Sequence, residues 1–141
     1  MLPFLVDMAR LYELFVAEWL KINLPSNLFL KFQERVNIGK NLEFNPDLVL
    51  YNTATKNPRY ILDTKYKTSA TPSSQDVAQV VAYTVAKNCP EVIILYPTAL
   101  THILDEMVGN IRVRSLTFSL DADLEKAGNT LLKHLIYLDN F

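Results

Sequence analysis

PDLVLYNTATKNPRYILDTKYK, residues 46–67, holds two short apolar runs on either side of a polar connector. Val, Leu, Ile and Tyr in such runs favour strand. The connector from Asn52 to Pro58 carries the Asn, Thr, Lys and Pro of a hairpin loop. The stretch therefore predicts two adjacent antiparallel strands, over about 47–52 and 59–67. Side chains two apart on a strand share a side, so Asp63 and Lys65 fall together, and Tyr60, Leu62, Thr64 and Tyr66 fall opposite. Asp47 opens one strand across from the end of the other, which brings Asp47 and Asp63 to one end of the pair. A carboxylate in so apolar a segment is costly unless it is paired or bound to a metal. Two readings stay open on these residues. One is a divalent-metal site of Asp47 and Asp63 with Lys65 beside it. The other is a strand-end aspartate and a hairpin salt bridge from Asp63 to Lys65 or Arg59.

The chain has 141 residues, 50% of them apolar and 21% charged, which suits one domain, 1–141, with a proper core. No apolar run reaches the ~18 residues of a membrane-spanning helix. The start, MLPFLVDMAR, lacks the basic region and cleavage site of a secretory leader, so a cytoplasmic protein is expected. One cysteine and two histidines exclude an intrachain disulfide and a thiolate zinc cluster. Three glycines leave no phosphate-binding glycine loop, which argues against nucleotide hydrolysis by this chain. The net charge of −1 means that any grip on nucleic acid must come from a local patch or another subunit.

Outward from the hairpin, residues 7–23 read as a helix capped by Asp7 and stopped at Asn23 and Pro25. Met8, Leu11, Tyr12, Phe15, Val16, Trp19 and Leu20 form its apolar face. Glu13 lies off that face on a strip with Ala9 and Ala17, small residues that allow another element close. It is either a solvated glutamate or a group turned toward the hairpin. Residues 28–37 alternate as a strand, with Leu28, Leu30, Phe32 and Glu34 on one side. Residues 74–88 read as a helix despite their valines, with Val77, Val80, Val81, Thr84 and Val85 on one face and Asp76, Gln79 and Tyr83 on another. EVIILYP, 91–97, reads as a strand buried on both sides, parallel to its neighbour after a helical crossover. THILDEMVGN reads as loop or a short helical turn, and IRVRSLTFSL as the strand that ends the sheet. Asp121 is expected to cap a last helix through about 137, with Leu124, Ala127, Leu131, Leu132, Leu135 and Leu138 as its stripe. The expected fold is α/β, a mixed β-sheet flanked by helices in the order αβββαββα.

Two carboxylates with waters and phosphate oxygens suit Mg²⁺, a hard ion. Lys65 beside them could orient the attacking water and offset charge on the phosphate oxygens. These residues in this order resemble the PD-(D/E)xK, restriction-endonuclease-like nuclease superfamily. Pro46-Asp47 and Asp63-Thr64-Lys65 match its metal-binding and catalytic motifs. Glu13 matches the acidic residue that many members carry on the first helix. Gln79 and Tyr83 resemble the QxxxY motif of the RecB-like branch, whose Gln and Tyr support the site. MARLYELFVAEWL, NPDLVLY, YILDTKYK and SSQDVAQVVAYTVAK are similar to the C-terminal nuclease half of McrC, the nuclease subunit of McrBC-type, 5-methylcytosine-dependent restriction systems.

The resemblance implies a Mg²⁺-dependent DNA endonuclease in which Mn²⁺ can substitute. Asp47, Asp63 and Glu13 would be the metal ligands, Lys65 the catalytic lysine, and Gln79 and Tyr83 supporting residues. It also implies DNA as substrate, an AAA+ GTPase partner of the McrB type, and a homodimer for double-strand cleavage. The family's N-terminal, partner-binding half has no counterpart here, so the chain is expected to be a fragment. The alternative is a non-catalytic DNA-binding or assembly module on the same fold. Arg112 and Arg114, with Lys56 and Lys67, are either phosphate contacts or a solvated strand face. His102, His134 and Cys89 have no ligand-spaced partners and read as structural or surface residues.

Overall fold

The structure, a computed structural model, describes residues 7–32, 36–38, 42–44, 48–66, 74–121 and 123–136. Numbered in chain order, its elements are α1 (Met8–Asn23), β1 (Leu28–Phe32), β2 (Val36–Ile38), β3 (Leu42–Phe44), β4 (Leu48–Asn52), β5 (Pro58–Thr64), α2 (Ser74–Lys87), β6 (Glu91–Tyr96), β7 (Asp105–Val108), β8 (Ile111–Thr117) and α3 (Leu124–Ile136). Six strands form one mixed sheet in the order β1-β4-β5-β6-β8-β7. α1 and α3 cover one face and α2 the other, giving two apolar layers.

The hairpin at the centre of the sequence forms as expected. β4 runs antiparallel to β5, with Leu48 opposite Leu62 and Val49 opposite Ile61. β1 lies antiparallel on the outer side of β4. The turn between β4 and β5 is set by Asn52, whose side-chain oxygen accepts from the backbone N–H groups of Ala54 and Thr55 at 2.9 and 3.1 Å. β6 is parallel to β5, and all six of its residues are buried, the pattern its unbroken apolar run predicts.

α1 begins where Asp7 accepts a hydrogen bond from the Arg10 N–H at 3.1 Å. Its buried arc is Tyr12, Val16, Ala17 and Leu20, while Leu11 on the expected face is exposed. The helix is thus turned so that Ala17 of the small-residue strip is buried, while Ala9 stays exposed. Trp19 packs onto α3 at Gly128, where an added Cβ would stand 1.9 Å from the indole. Tyr12 closes the same layer by donating to the Phe118 carbonyl at 3.0 Å. At the other end of α3, Tyr60 Oη donates to the Leu135 carbonyl at 2.6 Å and Arg114 Nη1 to the His134 carbonyl at 3.0 Å. Those side chains satisfy carbonyls that a helix C-terminus leaves open.

Four expectations need correction. Residues 28–37 are not one strand: β1 ends at Phe32, and β2 pairs with β3 in a separate two-stranded sheet. Residues 105–108 are not loop or helix but the edge strand β7, joined to β8 by a turn with Gly109 at φ 62°, so β8 does not end the sheet. Asp123, not Asp121, caps α3, accepting from the Glu125 N–H at 3.1 Å. Tyr83, rather than Val85, joins the buried face of α2, because Val85 is 64% exposed. The element order becomes αβββββαβββα.

Candidate active site

β5 brings Asp63 and Lys65 to one end of the sheet. Tyr60 and Leu62 pack into the layer under α1 and α3, and Ile61 into the layer under α2. Alternation then sends Asp63 to the α2 side, at the C-terminal end of the parallel pair β5–β6. Asp63 is only 5% exposed and stands in register with Ile94. Lys65 has left the strand, but its N–H donates to the Leu95 carbonyl at 2.9 Å, so the ladder to β6 still fixes its backbone. Lys65 Nζ lies 3.1 Å from Asp63 Oδ2, and both side chains are largely enclosed. The pair thus joins a buried carboxylate to a half-buried ammonium. Arg59, the other partner considered for Asp63, pairs instead with Glu91 at 3.6 Å.

α1 reaches the same end of β5 from the opposite face. The Tyr12 and Tyr66 rings, one on α1 and one just past Lys65, are 6.0 Å apart at their centroids. Glu13 follows Tyr12 and extends the buried line of Ala17 toward the start of the helix. Its side chain is only 12% exposed, with Arg10 Nη1 3.6 Å away. Glu13 is therefore not a solvated surface residue. On the other face, Tyr83 is buried with Ile61, Ile94 and Tyr96, the residues that surround Asp63 in the strand register. Gln79, one turn earlier on α2, is exposed.

Pro46 and Asp47 lie outside the described residues. The observed register pairs Leu48 with Leu62, the residues next in sequence to Asp47 and Asp63. Among the described residues no three His, Cys, Asp or Glu side chains gather to hold a metal ion. Asp63 is a buried carboxylate, and Glu13 on α1 is a largely covered one.

Arg112 and Arg114 do not serve as open phosphate contacts. Arg112 makes a two-pronged bond to Asp105 at 2.9 Å on each arm, which holds the Asp105 carboxyl below the usual carboxylate range. Arg114 is buried against Glu91 at 2.6 Å. Lys67 lies outside the described residues. Cys89 is buried, and burial pushes its thiol up to about 11, in keeping with a structural role. The Arg114–Glu91 pair escaped the sequence reading. Its only signal was a glutamate opening an otherwise apolar strand.

The fold is a mixed α/β domain, a six-stranded sheet between helices, with an acid–lysine pair at the C-terminal end of a central strand. The chain belongs to the McrBC 5-methylcytosine restriction system component family, whose model matches residues 1–97. That range runs from α1 through β6 and includes Glu13, Asp47, Asp63, Lys65, Gln79 and Tyr83. No curated protein matches the chain. No helix among the described residues is long and apolar enough to cross a membrane.

Proposed function

We propose that this chain is the DNA-cutting domain of a McrBC-type restriction system, a restriction-endonuclease-like phosphodiester hydrolase dependent on Mg²⁺, with Mn²⁺ as a substitute. The observation that carries this reading is the enclosed Asp63–Lys65 pair at the end of β5, in a chain of that family. A buried carboxylate beside an ammonium is costly to hold and is a common mark of a working site.

Asp63 and Asp47, with Glu13 from α1, are the proposed metal ligands. Hard carboxylate oxygens are the donors that Mg²⁺ takes. When bound, the ion supplies Lewis-acid polarisation of a phosphoryl oxygen. Lys65 orients the attacking water and offsets charge that develops on the phosphate oxygens. Asp63 positions Lys65 for that task through the contact already present. Tyr83 supports the Asp63 side of the sheet from α2, and Gln79, exposed one turn earlier, faces the DNA. A McrB-type AAA+ GTPase delivers the DNA, and two copies together make a double-strand cut.

Plasmid nicking with Mg²⁺ or Mn²⁺, with and without the GTPase partner, tests the reading. Asp63→Ala and Lys65→Ala should abolish cleavage while the fold survives; full cleavage by either variant would overturn it. One observation favours a second reading, a non-catalytic DNA-binding or assembly module: Asp63 and Lys65 also satisfy each other as a structural ion pair. Calorimetry with Mn²⁺ separates the two. A binding heat lost in Asp63→Ala supports the nuclease, and no heat in the wild type supports the module.

A further inference from the structure

β7 ends the sheet on the side away from β1, and among the described residues no strand pairs with its outer edge. All four of its residues are exposed, Met107 at 62% and Val108 at 42%. One contact fixes its hydrogen-bond phase: the Ser115 N–H donates to the Leu104 carbonyl at 2.8 Å. Bonded and unbonded pairs alternate along an antiparallel ladder. In the observed register, Glu106 and Val108 therefore bond to β8 opposite Val113 and Ile111. The backbone groups of Asp105 and Met107 point outward, away from β8. Side chains alternate as well. Asp105 and Met107 share a face with Arg114 and Arg112, their register partners, and Glu106 and Val108 share the other with Val113 and Ile111.

Sheet edges are normally guarded by lysine, proline, a bulge or a covering element. β7 reads DEMV, without lysine or proline, and its register with β8 is unbroken. Its guard is charge alone. Asp105 is held by Arg112 through two bonds of 2.9 Å, so Glu106 supplies the net charge of the edge. An acidic edge repels phosphate, which leaves a polypeptide strand as its occupant. Three two-fold registers with a second copy overlap most of β7, centred on Asp105, Glu106 or Met107. The first two set identical carboxylates directly opposite each other, which is destabilising. The third sets Met107 opposite the second copy's Met107, and Glu106 opposite its Val108. Asp105 then runs out beside the second copy's Gly109, which has no side chain to meet it. The two Glu106 side chains stay on a diagonal, about 7–8 Å apart, where salt screens them.

We propose that β7 is a self-association edge, on which a second copy of this chain pairs antiparallel about Met107 and joins the two six-stranded sheets into one. The contact is isologous, so it closes as a dimer and does not grow into a filament. A stable dimer covers about 800 Å² per partner. Four residues span only about 13 Å of edge, well short of that, so the contact is weak and forms where copies are already concentrated. The two-fold turns the two Asp63 ends in opposite directions. This contact therefore links copies and is distinct from one that would align two sites on a single double-strand cut. It goes beyond the nuclease reading and does not depend on it.

Disulfide trapping of the whole chain, in EDTA and without DNA, tests the register. In it Glu106 and the second copy's Val108 form an unbonded pair with Cα atoms about 4.5 Å apart, inside disulfide range. Like residues sit on the longer diagonal. A mixture of Glu106→Cys and Val108→Cys should therefore cross-link at least about tenfold faster than either variant alone. Cys89 is buried and does not compete. Sedimentation up to millimolar protein gives the second readout. Wild type should show a weak monomer–dimer equilibrium that tightens with KCl, and Glu106→Gln should tighten it further. Met107→Pro removes an N–H that faces away from β8, so the chain should stay folded by circular dichroism and remain monomeric. A mixture that cross-links no faster than the single variants overturns the proposal, as do a folded Met107→Pro that still dimerises and an open-ended polymer. A wild type that stays monomeric, yet binds an alternating Lys/Val peptide that Met107→Pro rejects, assigns the edge to a basic foreign strand and overturns it too. Because neither readout uses cleavage, the outcomes separate. If the mixture cross-links but Asp63→Ala leaves cleavage intact, the edge stands and the nuclease reading fails.

Discussion

Arg114 donates from Nε to Glu91 Oε2 at 2.6 Å, between neighbouring parallel strands, with 4% of each side chain exposed. The pair sits at the start of β6, the end of the sheet away from Asp63. The same guanidinium reaches the His134 carbonyl on α3, so it ties strand, strand and helix together. Removing one partner leaves a buried charge, which typically costs about 3–5 kcal/mol. Glu91→Ala should therefore lower the urea midpoint sharply. A midpoint within experimental error of wild type would show that the pair contributes nothing.

Asp63 and Lys65 form the matching pair at the other end, and here stability and activity should separate. Asp63→Asn keeps the volume and removes the charge, so the fold should persist. Cleavage should fall by at least about 10²-fold, the scale on which removing one transition-state contact acts. Thermal melts and single-turnover cleavage on the same preparation read both quantities. A variant that melts far lower, yet cuts at the wild-type rate when folded, would make the pair purely structural.

Trp19 on Gly128 gives a packing prediction. Ala normally favours a helix interior over Gly by about 1 kcal/mol. Here the new methyl would meet the indole at 1.9 Å, and that ring is already edge-on to Phe118 at 5.4 Å. Overpacking of this kind costs about 1–3 kcal/mol, so Gly128→Ala should lower the melting temperature. A rise in melting temperature would mean that Trp19 moves aside freely.

Cys89 gives a pH prediction. Its folded pKa is about 11, above its ordinary value, because burial disfavours the thiolate. The sign follows: the contribution is complete below the unfolded pKa and is lost as pH rises from there through about 11. Stability should fall over that alkaline window, and Cys89→Ala should flatten the fall. At neutral pH the thiol should react with a disulfide reagent only after denaturant is added. Rapid labelling of the folded chain would contradict its burial.

The hairpin was legible because β4 and β5 are read by alternation and turn composition, both local properties. β6 was legible because an unbroken run of Ile, Val and Leu suits a strand covered on both faces. β7 was missed although Gly109-Asn110 between apolar residues is a hairpin signal. Its four residues are all exposed, so no buried alternation marked it. Strand period put Asp63 and Lys65 on one side, but whether Asp63 meets Lys65 or Arg59 needed the structure, since β5 ends at Thr64. The turning of α1 toward Ala17 was not legible either, because the tilt of a helix on a sheet depends on partners such as Phe118 and Gly128 that lie a hundred positions away in sequence. Arg112 and Arg114 looked like one basic strip, yet separate carboxylates on β7 and β6 claim them. Charge partners across strands cannot be read before the strand order is known.

The hydrogen bond from Tyr12 to Phe118 spans 106 positions of chain. Synthesis is vectorial, so α1 emerges well before the surface that receives it. At about 5–20 residues per second, the apolar arc of Tyr12, Val16 and Leu20 waits roughly 5–20 s on the ribosome before Phe118, Leu131 and Leu135 arrive. The segment from α1 through β6 that carries the family match holds the proposed chemistry but not the residues that shield its first helix. Nascent chains stalled before residue 118 should therefore be protease-sensitive and held by chaperones, and those released after α3 should be resistant.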